Sequence, residues 1–547
     1  MLLQFTISSP LQHHHAPLSS NLSYSGPLLS GFSNCTPLRT INYHNSHSIT
    51  CSISQVHTYG TVDYERRPMV KWNAIYRRIS LMENPDLGSA SVLNQWENEG
   101  KKFTKWELCR VVKELRKYRR FKQALEVYEW MNNREERFRL STSDAAIQLD
   151  LIAKVRGISS AEDYFQRLPN TLKDKRTYGA LLNAYVHARK REEAESLIDK
   201  MRNKGYAMHP LPFNVMMTLY MNLKEYDKVG SMVSEMMEKN IQLDIYSYNI
   251  WLSSCGSQKS TEKMEQVFEQ MKLDRTINPN WTTFSTMATM YMKQGQFEKA
   301  EDCLKKVESR IMGRDRIPYH YLLSLYGGVG NKEEVYRVWN MYQSNFPTIP
   351  NLGYHAVISS LVRIGDIEGA GKIYEQWLSV KSTYDPRIGN LIMGWYVKEG
   401  IMEKAEDFLD HMIEVGGKPN SSTWEILAEG HIGEKRIPEA LSCLKEAFSA
   451  EGSKNWRPKP VNVSAFLKLC EQEAEIDSKE TLLGMLSQMG FLEDEVYTSL
   501  IGLSNGAVSG DEMSTGKDKT DDDNNNDNVE DESDGNEMLL NQLQTSL

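Results

Sequence analysis

The sequence has little cysteine and no long apolar run. Its 547 residues include seven cysteines, Cys35, Cys51, Cys109, Cys255, Cys303, Cys443 and Cys470, and no Cys-x-x-Cys. Spacings this wide exclude a disulfide scaffold and the usual structural zinc patterns, and point to a reducing compartment. No stretch approaches the roughly 18 apolar residues that a membrane-spanning helix needs, so no membrane partner is expected.

Acid is missing from residues 1–62, where the first carboxylate is still to come at Asp63. Within residues 1–60 the one charge is Arg39, among twelve serines up to Ser54 and the run His13, His14, His15. An acid-free, Ser-rich leader has the composition of an organellar transit peptide. Ile49-Thr50-Cys51-Ser52 resembles a chloroplast processing site, and a single cation departs from an Arg-rich mitochondrial leader. The chloroplast is the expected destination and the mitochondrion the alternative. The opposite bias closes the chain: residues 504–547 hold twelve acids against Lys517 and Lys519, a charge of −10. Such a tail repels itself and stays solvated. Between the ends, residues 61–503 are neutral, which does not by itself announce a nucleic acid.

What the middle does have is a period. The residues Ala124, Ala161, Ala194, Val229, Met264, Ala300, Val335, Ala370, Ala405 and Ala440 follow one another at 33 to 37 residues, mostly 35. Seven of the ten are Ala, the residue that lets two helices approach closely. Nine residues before each anchor stand Leu115, Ile152, Tyr185, Tyr220, Cys255, Tyr291, Tyr326, Leu361, Tyr396 and His431. Seven after stand Met131, Leu168, Met201, Met236, Met271, Val307, Tyr342, Trp377, Met412 and Ala447. Within a unit such as Thr177 to Tyr185, apolar residues fall at i, i+3, i+4 and i+7, one buried helical stripe. Turn signals divide the helices at Gly295, Gly330, Gly365 and Gly400, and Pro or acid marks unit boundaries, as at Asn278-Pro-Asn280 and Lys418-Pro-Asn420. Each unit is therefore a helix–turn–helix that cannot bury both faces alone, and neighbours must stack. The expected fold is all-α, an α-solenoid of about ten to twelve repeats.

The residues within the period distinguish the family. Ser247-Tyr-Asn249, the Met of Glu269-Gln-Met271 and Asn278-Pro-Asn280 resemble the pentatricopeptide repeat consensus, whereas the tetratricopeptide Trp-Leu-Gly pattern does not occur at fixed phase. The lead-in Leu93 to Gly100 and Ala124 to Met131 resemble the P-type, organelle-targeted branch of that family in plants. The resemblance spans roughly residues 105–455, with units beginning near 105, 142, 175, 210, 245, 281, 316, 351, 386 and 421. It implies a helical cap over residues 61–104 and degenerate repeats with a C-terminal cap over residues 456–503.

The resemblance also implies that a unit reads one base of single-stranded RNA with the fifth residue of its first helix and its last residue. Carried over, it pairs Asn214 with Asp244 (uracil type), Asn249 with Asn280 (pyrimidine, toward cytosine), Ser285 with Asp315 (guanine type) and Asn390 with Asn420 (pyrimidine). The implied motif is 5′-U-C-G-n-n-C. Gly179/His209, His320/Pro350, His355/Asp385 and Glu425 depart from the family's pairs. Asn and Asp are also favoured as helix caps and turn residues, a reading that stays open beside base recognition. Candidate phosphate contacts are Arg116, Lys117, Arg119, Arg120 and Lys122, in a stretch from Lys101 to Arg139 with thirteen Lys/Arg against six Asp/Glu. The alternative is a solvated helical face with i,i+4 pairs, Glu126 among them.

Catalytic patterns are absent. There is no His-x-Glu with a downstream Pro-Cys-x-x-Cys, no P-loop and no Gly-x-Ser-x-Gly. Gly327-Gly-Val-Gly330 has the glycines of a phosphate loop but falls in an interhelix turn and follows no strand. No enzyme, cofactor or metal is expected. Single-stranded RNA is the expected partner, with other RNA-processing proteins beside it. Its binding would be passive, serving stabilisation, processing, splicing or translation of an organellar transcript. The rival reading is a scaffold that holds a protein partner on the same surface.

Overall fold

The structure, a computed structural model, describes residues 71–82, 87–381, 383–450, 456–493 and 496–499. The expected leader (1–60), residues 61–70 and the acidic tail (504–547) lie outside them. The repeats lie within one unit, Ile75–Asn524.

Among the described residues the regular elements are helical and come in pairs. The first helices of repeats 1 to 11 are Lys105–Lys117, Thr142–Arg156, Lys175–His187, Pro210–Asn222, Ile245–Ser257, Trp281–Lys293, Ile317–Val329, Asn351–Ile364, Pro386–Lys398, Ser421–Gly433 and Pro460–Gln472. The second helices are Phe121–Asn132, Ile158–Arg167, Arg191–Asn203, Tyr226–Glu238, Thr261–Leu273, Phe297–Glu308, Lys332–Asn345, Ile367–Val380, Met402–Glu414, Ile437–Ser449 and Ile476–Gln488. First helices pack on first helices, and most second helices lodge against the first helix of the next repeat. The result is an α-solenoid of two helical layers.

The period has a packing cause. All ten anchors, from Ala124 to Ala440, are 0% exposed. Each sits in the packed interior between helices, where little free volume remains. The residues seven further on are buried as well and fill the layer between helices. Sixteen residues before the anchors stand Tyr178, Phe213, Tyr248, Phe284, Tyr319 and Tyr354, and then Gly389. The Met412 methyl, the Tyr384 hydroxyl and the Phe408 ring lie 2.9, 3.1 and 3.2 Å from where a Cβ on Gly389 would sit.

The interhelix turns share one backbone device, a residue in the left-handed region. Gly295, Gly330, Gly365 and Gly400 take it with φ of 70°, 85°, 86° and 69°. Arg119, Arg189, Lys224, Lys259 and Lys435 hold the same place in other repeats with φ of 53° to 60°. Gly327 and Gly328 lie inside the last turn of a helix, and Gly330 is its left-handed C-cap. These glycines serve helix approach and helix ending.

Glu126 also serves between helices. It accepts the backbone N–H of Ser89 at 2.6 Å, tying the lead-in helix Gly88–Asn98 to repeat 1.

Candidate nucleic-acid interface

The last residue of a unit is the N-cap of the next first helix, which sets the geometry of the candidate site. Asp244 caps Ile245–Ser257, accepting the Ser247 N–H at 2.8 Å, and its own N–H reaches the Ser247 hydroxyl at 3.3 Å. Asn280 caps Trp281–Lys293 through the N–H groups of Thr282 and Thr283 at 3.0 and 3.3 Å. Asn420 caps Ser421–Gly433 through Thr423 N–H at 2.8 Å. Capping thus accounts for these three last-position residues.

It does not account for the fifth position. Asn214, Asn249 and Asn390 lie inside helices, where Asn is a weak helix former. They are buried, at 1%, 1% and 9% exposure. A buried amide costs free energy unless its hydrogen bonds are made.

Two of the three pairs meet directly. Asn214 Nδ2 donates to the Asp244 carboxylate at 3.0 and 3.3 Å, and Asn214 Oδ1 accepts from the Ser247 hydroxyl at 2.7 Å. Asn390 Nδ2 donates to Asn420 Oδ1 at 3.4 Å, and its Oδ1 accepts from the Thr423 hydroxyl at 2.9 Å. Asn249 is joined to Asn280 through a third residue: its Nδ2 donates to Thr282 Oγ1 at 3.0 Å, and Thr282 donates to Asn280 Oδ1 at 2.6 Å. The unit from Ile245 runs one residue longer than its predecessor, so the next helix presents its second residue to Asn249 instead of its third. Ser285, also buried, turns its hydroxyl onto the Trp281 carbonyl of its own helix at 2.9 Å, while Asp315 accepts the Ile317 N–H at 3.1 Å.

The departing units use the same positions for packing. His320 meets the Tyr342 hydroxyl at 2.9 Å. Glu425, 3% exposed, accepts the Lys459 N–H at 2.5 Å and the Trp456 indole N–H at 3.3 Å, pinning the entry to repeat 11.

The five candidate phosphate contacts gather at the interhelix turn of repeat 1, at the opposite end of the first helix from the fifth position. Arg116 pairs with Asp150 at 3.3 Å, Lys117 with Glu114 at 4.0 Å, and Arg120 donates to the Ser80 carbonyl at 2.8 Å. Lys117 lies over the Tyr118 ring, 5.1 Å from its centroid, and burial lowers its pKa. Arg119 takes the left-handed turn position and is exposed, as is Lys122.

Lys117 also begins a row that the local charge count overlooks. Seven residues before an anchor stand Lys117, Lys154, Lys293, Arg363 and Lys398, each near the C-terminal end of a first helix. A cation there complements the helix dipole. Lys293, Arg363 and Lys398 are exposed. The anchor register, extended to charge, is the signal that finds them. A second overlooked feature is apolar: Trp106, Leu352 and Val461, each the second residue of a first helix, are exposed.

Comparison with known proteins settles the family. A pentatricopeptide repeat domain model matches residues 231–294, and a PPR repeat model matches residues 176–206, 212–241, 282–310 and 390–417. A pentatricopeptide repeat-containing protein of Arabidopsis thaliana is 65% identical over 501 residues, covering 92% of this chain and 94% of that one. The chain belongs to the pentatricopeptide repeat family. Another Arabidopsis thaliana pentatricopeptide repeat-containing protein, named mitochondrial, is 34% identical over 430 residues, covering 78% of this chain and 80% of its own. The large ribosomal subunit protein mL101 of the same plant is 37% identical over 415 residues, covering 75% and 84%. Among solved structures, the pentatricopeptide repeat protein PPR10 from maize aligns with a TM-score of 0.46 at 16% identity, over 74% of this chain and 62% of that one.

Proposed function

We propose that this pentatricopeptide repeat protein binds single-stranded RNA of an organellar transcript, with repeats 4, 5, 6 and 9 contacting bases and the row of first-helix cations contacting phosphates. One observation carries the reading: three repeats place a buried Asn at the same helical position, each linked to the cap of the next repeat. Packing alone would favour Ala or Leu there, and capping needs only the last residue. A base that reaches this position meets an amide already held in place, so little ordering is required on binding. The near-complete burial of the three amides means that RNA must part the side chains covering them as it seats. Exposed Trp106 offers an aromatic face on which a base stacks, and exposed Leu352 and Val461 offer apolar contact. Occupying a strand in this way blocks nucleases or remodels structure without chemistry.

The neutral body and the six of ten units without a family-type pair favour a second reading, a scaffold that holds a protein partner. Salt separates the two. An RNA reader loses affinity with a log–log slope of about −0.7 per phosphate contacted. A scaffold shows no RNA affinity to titrate.

The acid-free leader supports chloroplast import, and the mitochondrial names of several relatives make the mitochondrion the alternative. Residues 1–60 fused to a fluorescent reporter in plant cells distinguish the two by where the signal collects.

A further inference from the structure

We propose that the third residue of the following repeat's first helix completes a base-reading site: Ser247 for Asn214, and Thr423 for Asn390. The proposal rests on the reading of Asn214 and Asn390 as base readers given above.

An Asn amide has a donor end and an acceptor end, and which end faces which way decides the hydrogen-bond order offered to a base. In repeat 4 the Asp244 carboxylate only accepts, so it draws Asn214 Nδ2, at 3.0 and 3.3 Å. The other end needs a donor, and Ser247 supplies it at 2.7 Å. Ser247 Oγ has one proton and a second acceptor in reach, Asp244 Oδ1 at 2.9 Å. That oxygen already receives N–H groups from Ser247 and Asn214. The shorter contact, to Asn214, takes the proton. The capping box holds the Ser247 hydroxyl in place, so one small residue both caps its helix and orients the reader of the repeat before it.

Repeat 9 repeats the ring with different residues. Asn420 Oδ1 is fixed as an acceptor by the Thr423 N–H at 2.8 Å. The Thr423 hydroxyl lies 2.9 Å from both Asn390 Oδ1 and Asn420 Oδ1. Because Asn420 Oδ1 already receives the Thr423 N–H and the long 3.4 Å bond from Asn390, the hydroxyl proton goes to Asn390 and is the firmer hold on it. In both repeats the amide keeps one N–H and one lone pair for a base, in a set order.

Repeat 5 supplies an internal control. Thr283 is the third residue of the next helix and lies in the same capping position, with its hydroxyl 3.5 Å from Asn280 Oδ1. Asn249 does not use it: it donates to Thr282, and Asn249 Oδ1 is buried without a partner. A hydroxyl that merely stabilises helices behaves alike in all three repeats, whereas one that orients a reader matters only in repeats 4 and 9.

The test selects the full-length chain against a randomised single-stranded RNA pool and reads base frequencies at the positions of repeats 4, 5 and 9, with melting temperatures measured alongside. Losing one orienting hydrogen bond is expected to flatten the base preference about three- to tenfold. Ser247→Ala does so at the repeat 4 position, Ser247→Thr preserves the preference, Thr423→Val flattens repeat 9, and Thr283→Val leaves repeat 5 unchanged. If Ser247→Ala fails to fold, Thr423→Val against Thr283→Val decides. Unchanged frequencies in Ser247→Ala and Thr423→Val, with Asn214→Ala flattening repeat 4, overturn the proposal and leave base reading intact. Unchanged frequencies in Asn214→Ala remove base reading itself, and the proposal with it.

Discussion

The Tyr220 hydroxyl donates to Glu195 of the preceding repeat at 3.0 Å, and the Lys228 ammonium meets the same oxygen at 2.8 Å. Tyr291, Glu265 and Lys299 form the same triad one repeat pair along, at 3.0 and 2.8 Å. The Lys228 ammonium, with the Tyr220 hydroxyl and Arg191 beside it, holds the Glu195 carboxyl below the usual glutamate range. Each triad joins three helices of two repeats, so it stabilises an interface instead of a unit. Tyr220→Phe is expected to lower stability by about 1 kcal/mol, read by denaturant melts. Because neighbour interfaces add in a solenoid, Tyr220→Phe with Tyr291→Phe is expected to cost the sum of the two.

Close approach of first helices gives a second expectation. A Cβ on Gly327 would stand 2.5 Å from Ser360 Cβ and 2.9 Å from its backbone Cα. Across the same contact, Ser360 Oγ lies 2.8 Å from the Leu323 carbonyl and 2.7 Å from the Ala356 carbonyl of its own helix, and its one proton is shared between them. Backbone cannot step aside, so Gly327→Ala is expected to destabilise by about 1–3 kcal/mol. Gly328→Ala meets mainly the terminal methyl of Met292, which can swing aside, and should cost less. Equal melting temperatures for the two variants would contradict this.

The cationic row predicts a change in salt dependence. Lys293→Ala, Arg363→Ala and Lys398→Ala are each expected to reduce the slope of log affinity against log salt by about 0.7, with base preference unchanged. Lys122→Ala, at the turn of repeat 1, tests whether the terminal cluster contributes. Filter binding of one RNA at several salt concentrations measures both.

Glu425 gives a pH dependence. Burial raises its carboxyl above the ordinary value of 4.5, against the opposing pull of the Lys459 N–H. The folded-state value thus exceeds the unfolded one. The stability from protonated Glu425 is fully present below the unfolded value and is lost as pH rises through the folded value. Glu425→Gln removes the titration and keeps an oxygen for Lys459. As pH rises above 4.5, the wild type is expected to lose stability relative to Glu425→Gln, checked by paired melts across pH.

Much of the fold was legible because packing repeats itself in the sequence. The fully buried anchor column, Ala300 and Ala405 among it, marks each second helix, and the Gly of Lys293-Gln-Gly-Gln296 marks a left-handed turn. The site was legible to the level of residue columns and no further. Asn249 and Asn390 have the same last-position partner type, yet one reaches it through Thr282 and the other directly, because a single added residue shifts the following helix. Gly389 gave no sign that Tyr384 would join Met412 and Phe408 against it, since Tyr384 comes from a loop outside the period. The cations Lys293, Arg363 and Lys398 were hidden for the opposite reason: they are regular but scattered, and a dense stretch such as Arg116 to Lys122 dominates a local count.

The central claim is that the chain reads RNA bases through its fifth-position amides. The most direct test is selection of the full-length protein against a random single-stranded RNA pool at two salt concentrations, with Asn214→Ala and Asn249→Ala in parallel. The account predicts a short enriched core of U-C-G type that persists at the higher salt and that each variant alters at its own position. Weak binding that salt erases, with no sequence enriched, would contradict it and favour the protein scaffold.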